Sequence, residues 1–405
     1  MFDQYNKNKR RKVLDKKLGA RDTGITKIIA KSIAITFIIL VLGGIALLFN
    51  YIAQVKYTKY DVLSRDNLVK ATESLENDLT YTNFSSGMIK ISKDGVSFLD
   101  INGKTKWNYA YNLKNPHIVK RGEYFAIVDR GYGDLYIFGK NGLEGHNKTL
   151  LPIMDAAISS YGDLYVILSD DLSSIITVFT KSGVELENKI RTIISSNGYA
   201  VGIDCSDNGQ LVIAPFTYID EGKIKSKVCF YYLGGDAVND NSNGFAGAFE
   251  EEFENTMVGK VQFFDNTHAF ALTNENIVFF EIKNNRIPSI IKSKKLDKRI
   301  RSITCNKNHL VALFEDGEVI TYDKKGSERH WKTDISYGYS SFEISDKYVY
   351  FVINNELKIY TMSGRLLAEN EFEDEINCIL VDRNLFTFNI LIAFKNSISM
   401  VRLIH

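Results

Sequence analysis

The stretch Asn239–Glu250 has the spacing of a calcium loop. Asn239, Asn241 and Asn243 offer side-chain oxygens at positions 1, 3 and 5, Gly244 falls at position 6 and Glu250 at position 12, the pattern of an EF-hand loop, where carboxylate and amide oxygens wrap a hard cation. Asn at position 1 removes a charged ligand, and Gly247 stands at position 9. The competing reading is an Asn- and Gly-rich surface loop, and calcium is the one cofactor the sequence suggests. A second constellation is basic. Lys292, Lys294, Lys295, Lys298, Arg299 and Arg301 lie within ten residues, with Asp297 the only acid. Such a run suits contact with an anionic polymer or lipid headgroups, or else a solvated outer strand. The acidic run Glu250, Glu251, Glu252 and Glu254 is a counterpart that would balance it or meet a basic partner.

The remaining reactive side chains are dispersed. Cys205, Cys305 and Cys378 fall at equivalent points of separate repeats, and Cys229 lies two strands out from Cys205. A strand between that pair would hold it near 10 Å, beyond disulfide reach. Buried small hydrophobes are the expectation. The six histidines are scattered, with His268 and His309 at matching turns. No G-x-S-x-G, H-E-x-x-H or phosphate-loop pattern occurs. The sequence names no catalytic residue.

Two kinds of element must carry these residues. Residues 1–31 hold ten basic side chains against three acidic ones, and residues 32–55 form 24 consecutive uncharged positions rich in Ile, Leu, Phe, Ala and Val. A helix of that length spans about 36 Å, enough for a hydrocarbon core of about 30 Å. The length of the run and the lack of a small-x-small site argue against a cleaved signal peptide. The expectation is a single-pass protein: a cytoplasmic basic tail (1–31), a transmembrane helix (32–55) and everything beyond on the outer side. Residues 56–83 read as a polar stalk or juxtamembrane helix, with a closing strand around Leu79–Phe84.

From residue 84 the helical period gives way to short strands. Tyr124–Val128, Leu164–Leu168, Leu310–Phe314 and Tyr348–Ile353 are apolar at nearly every position, as strands buried on both faces must be. Each precedes a more alternating strand and a tight turn. The turn residues Gly103, Gly142, Gly183, Gly234, Asn285, Gly326 and Gly364 recur at intervals of 38 to 51 residues. Strands at a period near 40 mark the blades of an all-β propeller, here seven- or eight-bladed over 84–405. With Lys+Arg 50 against Asp+Glu 49, the charge gives no support to nucleic-acid binding.

The run Asp100-Ile101-Asn102-Gly103-Lys104-Thr105-Lys106-Trp107 resembles, one position shorter, the D-x-x-(T/N)-G-K-x-x-W core of tryptophan-docked repeats in quinoprotein-like propellers, and Asp323, Gly326 and Trp331 echo it with one extra residue. Asn115-Pro116, Asp129 with Gly131, Ala157-Ile158-Ser159, and Ile203-Asp204 through Gly209 are similar in order to an uncharacterised clostridial family of membrane-anchored, quinoprotein- or WD-repeat-like propellers. That resemblance implies the anchor and the ring; it supplies no activity. Only two tryptophans occur, and no vicinal cysteine pair suggests a quinone. The reading is a non-catalytic binding or scaffold module for an envelope protein or complex at the cell membrane. The alternatives are a propeller enzyme, hydrolase or quinoprotein-like, and an extracellular ligand sensor.

Overall fold

In a computed structural model of the chain, the repeats resolve into eight four-stranded antiparallel sheets. The structure describes residues 56–67, 79–233 and 244–404, apart from breaks at 188, 255, 285, 336, 346, 384–386 and 395–396, and residues 14, 31–33, 35–45 and 47 nearer the N-terminus. The chain divides into Met1–Lys56 and Tyr57–His405. In the first unit the described residues up to position 47 are helical, and large side chains such as Phe37 (66 %) and Leu40 (67 %) are exposed. No helix among the described residues is long and apolar enough to cross a membrane.

Blade one runs from Thr80–Phe84 to Thr105–Ala110, blade two from Pro116–Arg121 to Gly142–Lys148 and blade three from Ile153–Ile158 to Ile190–Ile193. Blade four has a first strand broken into Tyr199–Ala200 and Asp204–Cys205, and it ends at Phe245–Phe249. Blades five to seven begin at Val258–Phe263, Ile300–Cys305 and Ser341–Ser345 and end at Ile287–Lys295, Glu328–Lys332 and Leu366–Glu371. The eighth takes three strands from the C-terminus, Ile376–Arg383, Phe388–Phe394 and Ser397–Ile404, and its outer strand, Lys59–Asn67, from the start of the ring.

The count is therefore eight, and closure differs from the sequence expectation. The segment read as a stalk or helix forms the closing strand, pairing from Lys59 opposite Ile404 to Asn67 opposite Ser397. Thr80–Phe84 instead forms the first strand of blade one. The last hairpin leaves one edge unpaired, and that edge templates a segment within reach that can extend along it. Tyr57 and Tyr60 fix the strand by packing their rings on Phe388 and Phe372 at 5.2 and 4.5 Å. Blades eight and one share a core of Tyr81, Met88, Leu99, Cys378, Leu391 and Ile398, which seals the ring.

The two tryptophans dock as the motif implies. Trp107 stacks on Phe138 at 5.6 Å, and its indole N–H donates to the carbonyl of Lys140 at 3.0 Å. It covers the turn at Gly142 in the next blade. Trp331 likewise covers Gly364 of blade seven, where φ is +82° and a Cβ would lie 2.5 Å from the indole. Glycine there serves both the left-handed turn and the close approach.

Candidate functional site

The first strand of each blade lines a central channel, and charged residues interrupt its apolar pattern. Four such strands, from blades two to five, enclose a cavity of about 460 Å³. The strands aim their side chains partly through β-bulges. A register shift between Ile153 and Asp155 accompanies Asp155, and one between Val258 and Lys260 accompanies Lys260. An inserted residue of this kind redirects the side chains that follow it.

At one end stands a closed ionic cluster. Arg121 of blade two reaches past blade three to blade four, donating to both oxygens of Asp204 at 2.9 and 2.8 Å and to Asp207 at 2.7 Å. Asp204 also accepts the backbone N–H of Phe263 in blade five at 2.6 Å. Arg121 and Asp204 side chains are only 13 % exposed. Burial opposes the charge on Arg121, but the two carboxylates outweigh it and hold the guanidinium protonated. This cluster joins three blades and is committed to structure.

The other end holds a looser group. Asp155 lies 3.8 Å from His117 and accepts the N–H of Ile203 at 3.2 Å. Burial raises the Asp155 carboxyl above the usual range, opposed by His117; burial also lowers His117, opposed by Asp155. Both groups are thus biased toward neutrality. Arg130 donates its Nε–H to the carbonyl of Met154 at 2.6 Å. Farther round, Lys120 is open to channel water yet walled by protein, which lowers its ammonium below the ordinary lysine value, with Glu343 opposing. It donates to Thr82 Oγ1 and Asn83 O, both at 2.6 Å. Glu343 accepts from Tyr350 at 2.7 Å, and the Cys305 thiol donates to Gln262 at 2.7 Å. Asp155 is a channel carboxylate that burial raises, and Asp204 lines the same cavity. The arrangement suits binding and bracing.

The sequence-derived sites lie elsewhere. Asn239, Asn241 and Asn243 are outside the described residues; Glu250 sits 3.6 Å from Lys227. The basic run is divided: Lys292, Lys294 and Lys295 lie on the outer strand of blade five, Lys298 and Arg299 in the following loop, and Arg301 on the first strand of blade six. Lys294 pairs with Glu328 at 2.8 Å, Lys298 with Asp316 and Glu318 at 2.7 and 2.6 Å, and Arg301 covers the Tyr337 ring at 4.8 Å. All four cysteines are free, with Cys305 half-buried. No group of three metal-ligating residues occurs among the described residues. The channel residues were missed. Their signal was a charge within a first strand, as Asp155 in the otherwise apolar Ile153–Ile158 and Glu343 between Phe342 and Ile344.

A family of unknown function, DUF5711, matches over residues 53–403. The chain belongs to that family. No curated protein matches its sequence. Among solved structures it is similar to Sqt1 from Chaetomium thermophilum bound to the N-terminus of ribosomal protein L10, at 11 % identity and TM-score 0.54, over 84 % of this chain and 99 % of that one. Sqt1 from Saccharomyces cerevisiae matches at 8 % identity and TM-score 0.53, over 87 % and 100 %. Apo AztD from Citrobacter koseri matches at 12 % and 0.51, over 74 % and 86 %. At these identities the likeness establishes the propeller fold alone.

Proposed function

We propose that this DUF5711 protein is a non-catalytic, membrane-anchored propeller that binds and scaffolds a protein partner in the cell envelope. Its basic tail would be cytoplasmic and its ring outside. The apolar run at 32–55, the basic excess before it and the exposed apolar helical residues within it support the anchor.

The observation that carries the binding role is the hairpin of blade four. Its strands, Leu211–Asp220 and Lys223–Tyr232, have ten residues each, where second strands elsewhere have five to seven. Near its tip Ile219 pairs across to Ile224, and the two are 77 % and 50 % exposed. Two large aliphatic side chains held side by side on a rigid ribbon, among Glu221, Lys223 and the Asp220–Lys225 ion pair at 2.8 Å, suit a partner segment that presents apolar residues. The fungal Sqt1 propeller, bound to a protein N-terminus, gives a precedent for this mode.

Cross-linking intact cells and purifying the full chain tests the reading. One envelope protein should recur at near-stoichiometric yield and be lost with Ile219→Asp/Ile224→Asp, whose thermal midpoint should match the native chain. Clean recovery of the protein alone, or a partner retained by that variant, would overturn it.

A further inference from the structure

Alternating strands place two sets of connectors on opposite faces of the ring. Turns joining first to second and third to fourth strands share one face; turns joining second to third, and each blade to the next, share the other. The chain joins the ring on the first of these, because Lys59 opens the closing strand opposite Ile404, at the third-to-fourth end.

The two faces differ in charge although the whole chain is nearly neutral. Counted over the full sequence of each connector, the second face carries nineteen carboxylates against seven basic side chains, and the first ten against ten. Acids are paired on both faces: Asp207 with Arg121, Asp265 with Lys324 and Glu123 with Lys140, each at 2.7 Å, on the first, and Asp316 with Lys298 at 2.7 Å and Asp374 with Arg65 at 2.8 Å on the second. Turns of the first face leave Lys104, Lys181, Lys325 and Arg365 exposed. Exposed apolar side chains stand on both faces, Tyr161 (65 %) and Val184 (60 %) on the first, Leu172 (75 %) and Tyr337 (60 %) on the second, so charge rather than hydropathy distinguishes them.

We infer that the ring seats this first face on an anionic lipid surface and turns the acidic face, with the blade-four hairpin, away from it. The inference deepens the anchored reading and rests on it. Only residues 56–58 separate the apolar run from the closing strand, a reach of about 10 Å. That is comparable to the Debye length of about 8 Å at physiological salt. Charges on the joining face therefore act on the headgroups, while the acidic face is repelled.

The test uses the full chain in vesicles of phosphatidylcholine with and without phosphatidylglycerol. A fluorophore is placed at Ser363→Cys on the joining face or at Ser195→Cys on the acidic face, against headgroup spin-labelled lipid. Native thiols, three of them buried, set the background. We expect at least twofold stronger quenching at 363 than at 195 in phosphatidylglycerol vesicles. Lys104→Glu/Lys181→Glu/Arg365→Glu, or 0.5 M salt (roughly a 4 Å screening length), should narrow the difference. Equal quenching, or stronger quenching at 195, in chain that survives an alkaline wash would overturn the seat and leave the anchor standing. Chain lost in that wash with the asymmetry intact before it would overturn the anchor and keep the seat.

Discussion

Replacing Arg121 tests whether the channel cluster holds the ring together. Arg121→Met removes three charge-assisted hydrogen bonds of 2.7 to 2.9 Å and leaves Asp204, 13 % exposed, without a cation. Breaking a buried pair from one side costs about 3–5 kcal/mol, because the remaining charge keeps its desolvation penalty. The ring, Tyr57–His405, has about 350 residues. An unfolding entropy near 2.1 cal/mol/K per residue makes 1 kcal/mol worth about 1.4 °C. The expected fall in calorimetric midpoint is thus about 4–7 °C. Arg121→Met/Asp204→Asn should recover at least half of it, since the amide keeps an acceptor for the Phe263 N–H without a buried charge; the double-mutant cycle should show a coupling of about 2 kcal/mol. A fall below about 1 °C, or a double variant equal to the sum of the singles, would refute the bracing role.

Two further outcomes follow from the packing between blades. Burial favours protonation of Asp265, but Lys324 and Thr267 outweigh it and hold the carboxyl down at about 2. A depressed carboxyl stabilises the fold above its unfolded value near 3.8, and that stability is lost as pH falls toward 2. The shift corresponds to about 2 kcal/mol, so Lys324→Met should lose about 1–2 kcal/mol at pH 7 by denaturant melts and match the native chain at pH 2; a constant gap across pH would discount the pair. Closure is tested by truncation. A chain starting at residue 57 should melt sharply, whereas one starting at 79 lacks the closing ladder and the Tyr57 and Tyr60 packing. That loss is about 5 kcal/mol or more, from hydrogen bonds near 1 kcal/mol each and two aromatic anchors, and identical melting and size-exclusion profiles would contradict it.

The sequence determined the ring as a class because blade strands are local. Tyr124–Val128 and Leu310–Phe314 are apolar on both faces wherever they lie, and glycines such as Gly103 and Gly364 answer to the turn they occupy. Trp107 and Trp331 carried their docking contacts in the same way. What tertiary structure alone decided is long-range. Lys59–Asn67 has weak helical spacing and becomes a strand only because an edge formed by the last hairpin awaits it, more than 300 residues later. The same holds for charge. Lys120, Arg121, Asp155 and Asp204 read as isolated polar residues until closure brings their strands to one channel. A chain of net charge +1 separates its carboxylates from its lysines only once alternating strands assign each turn to a face.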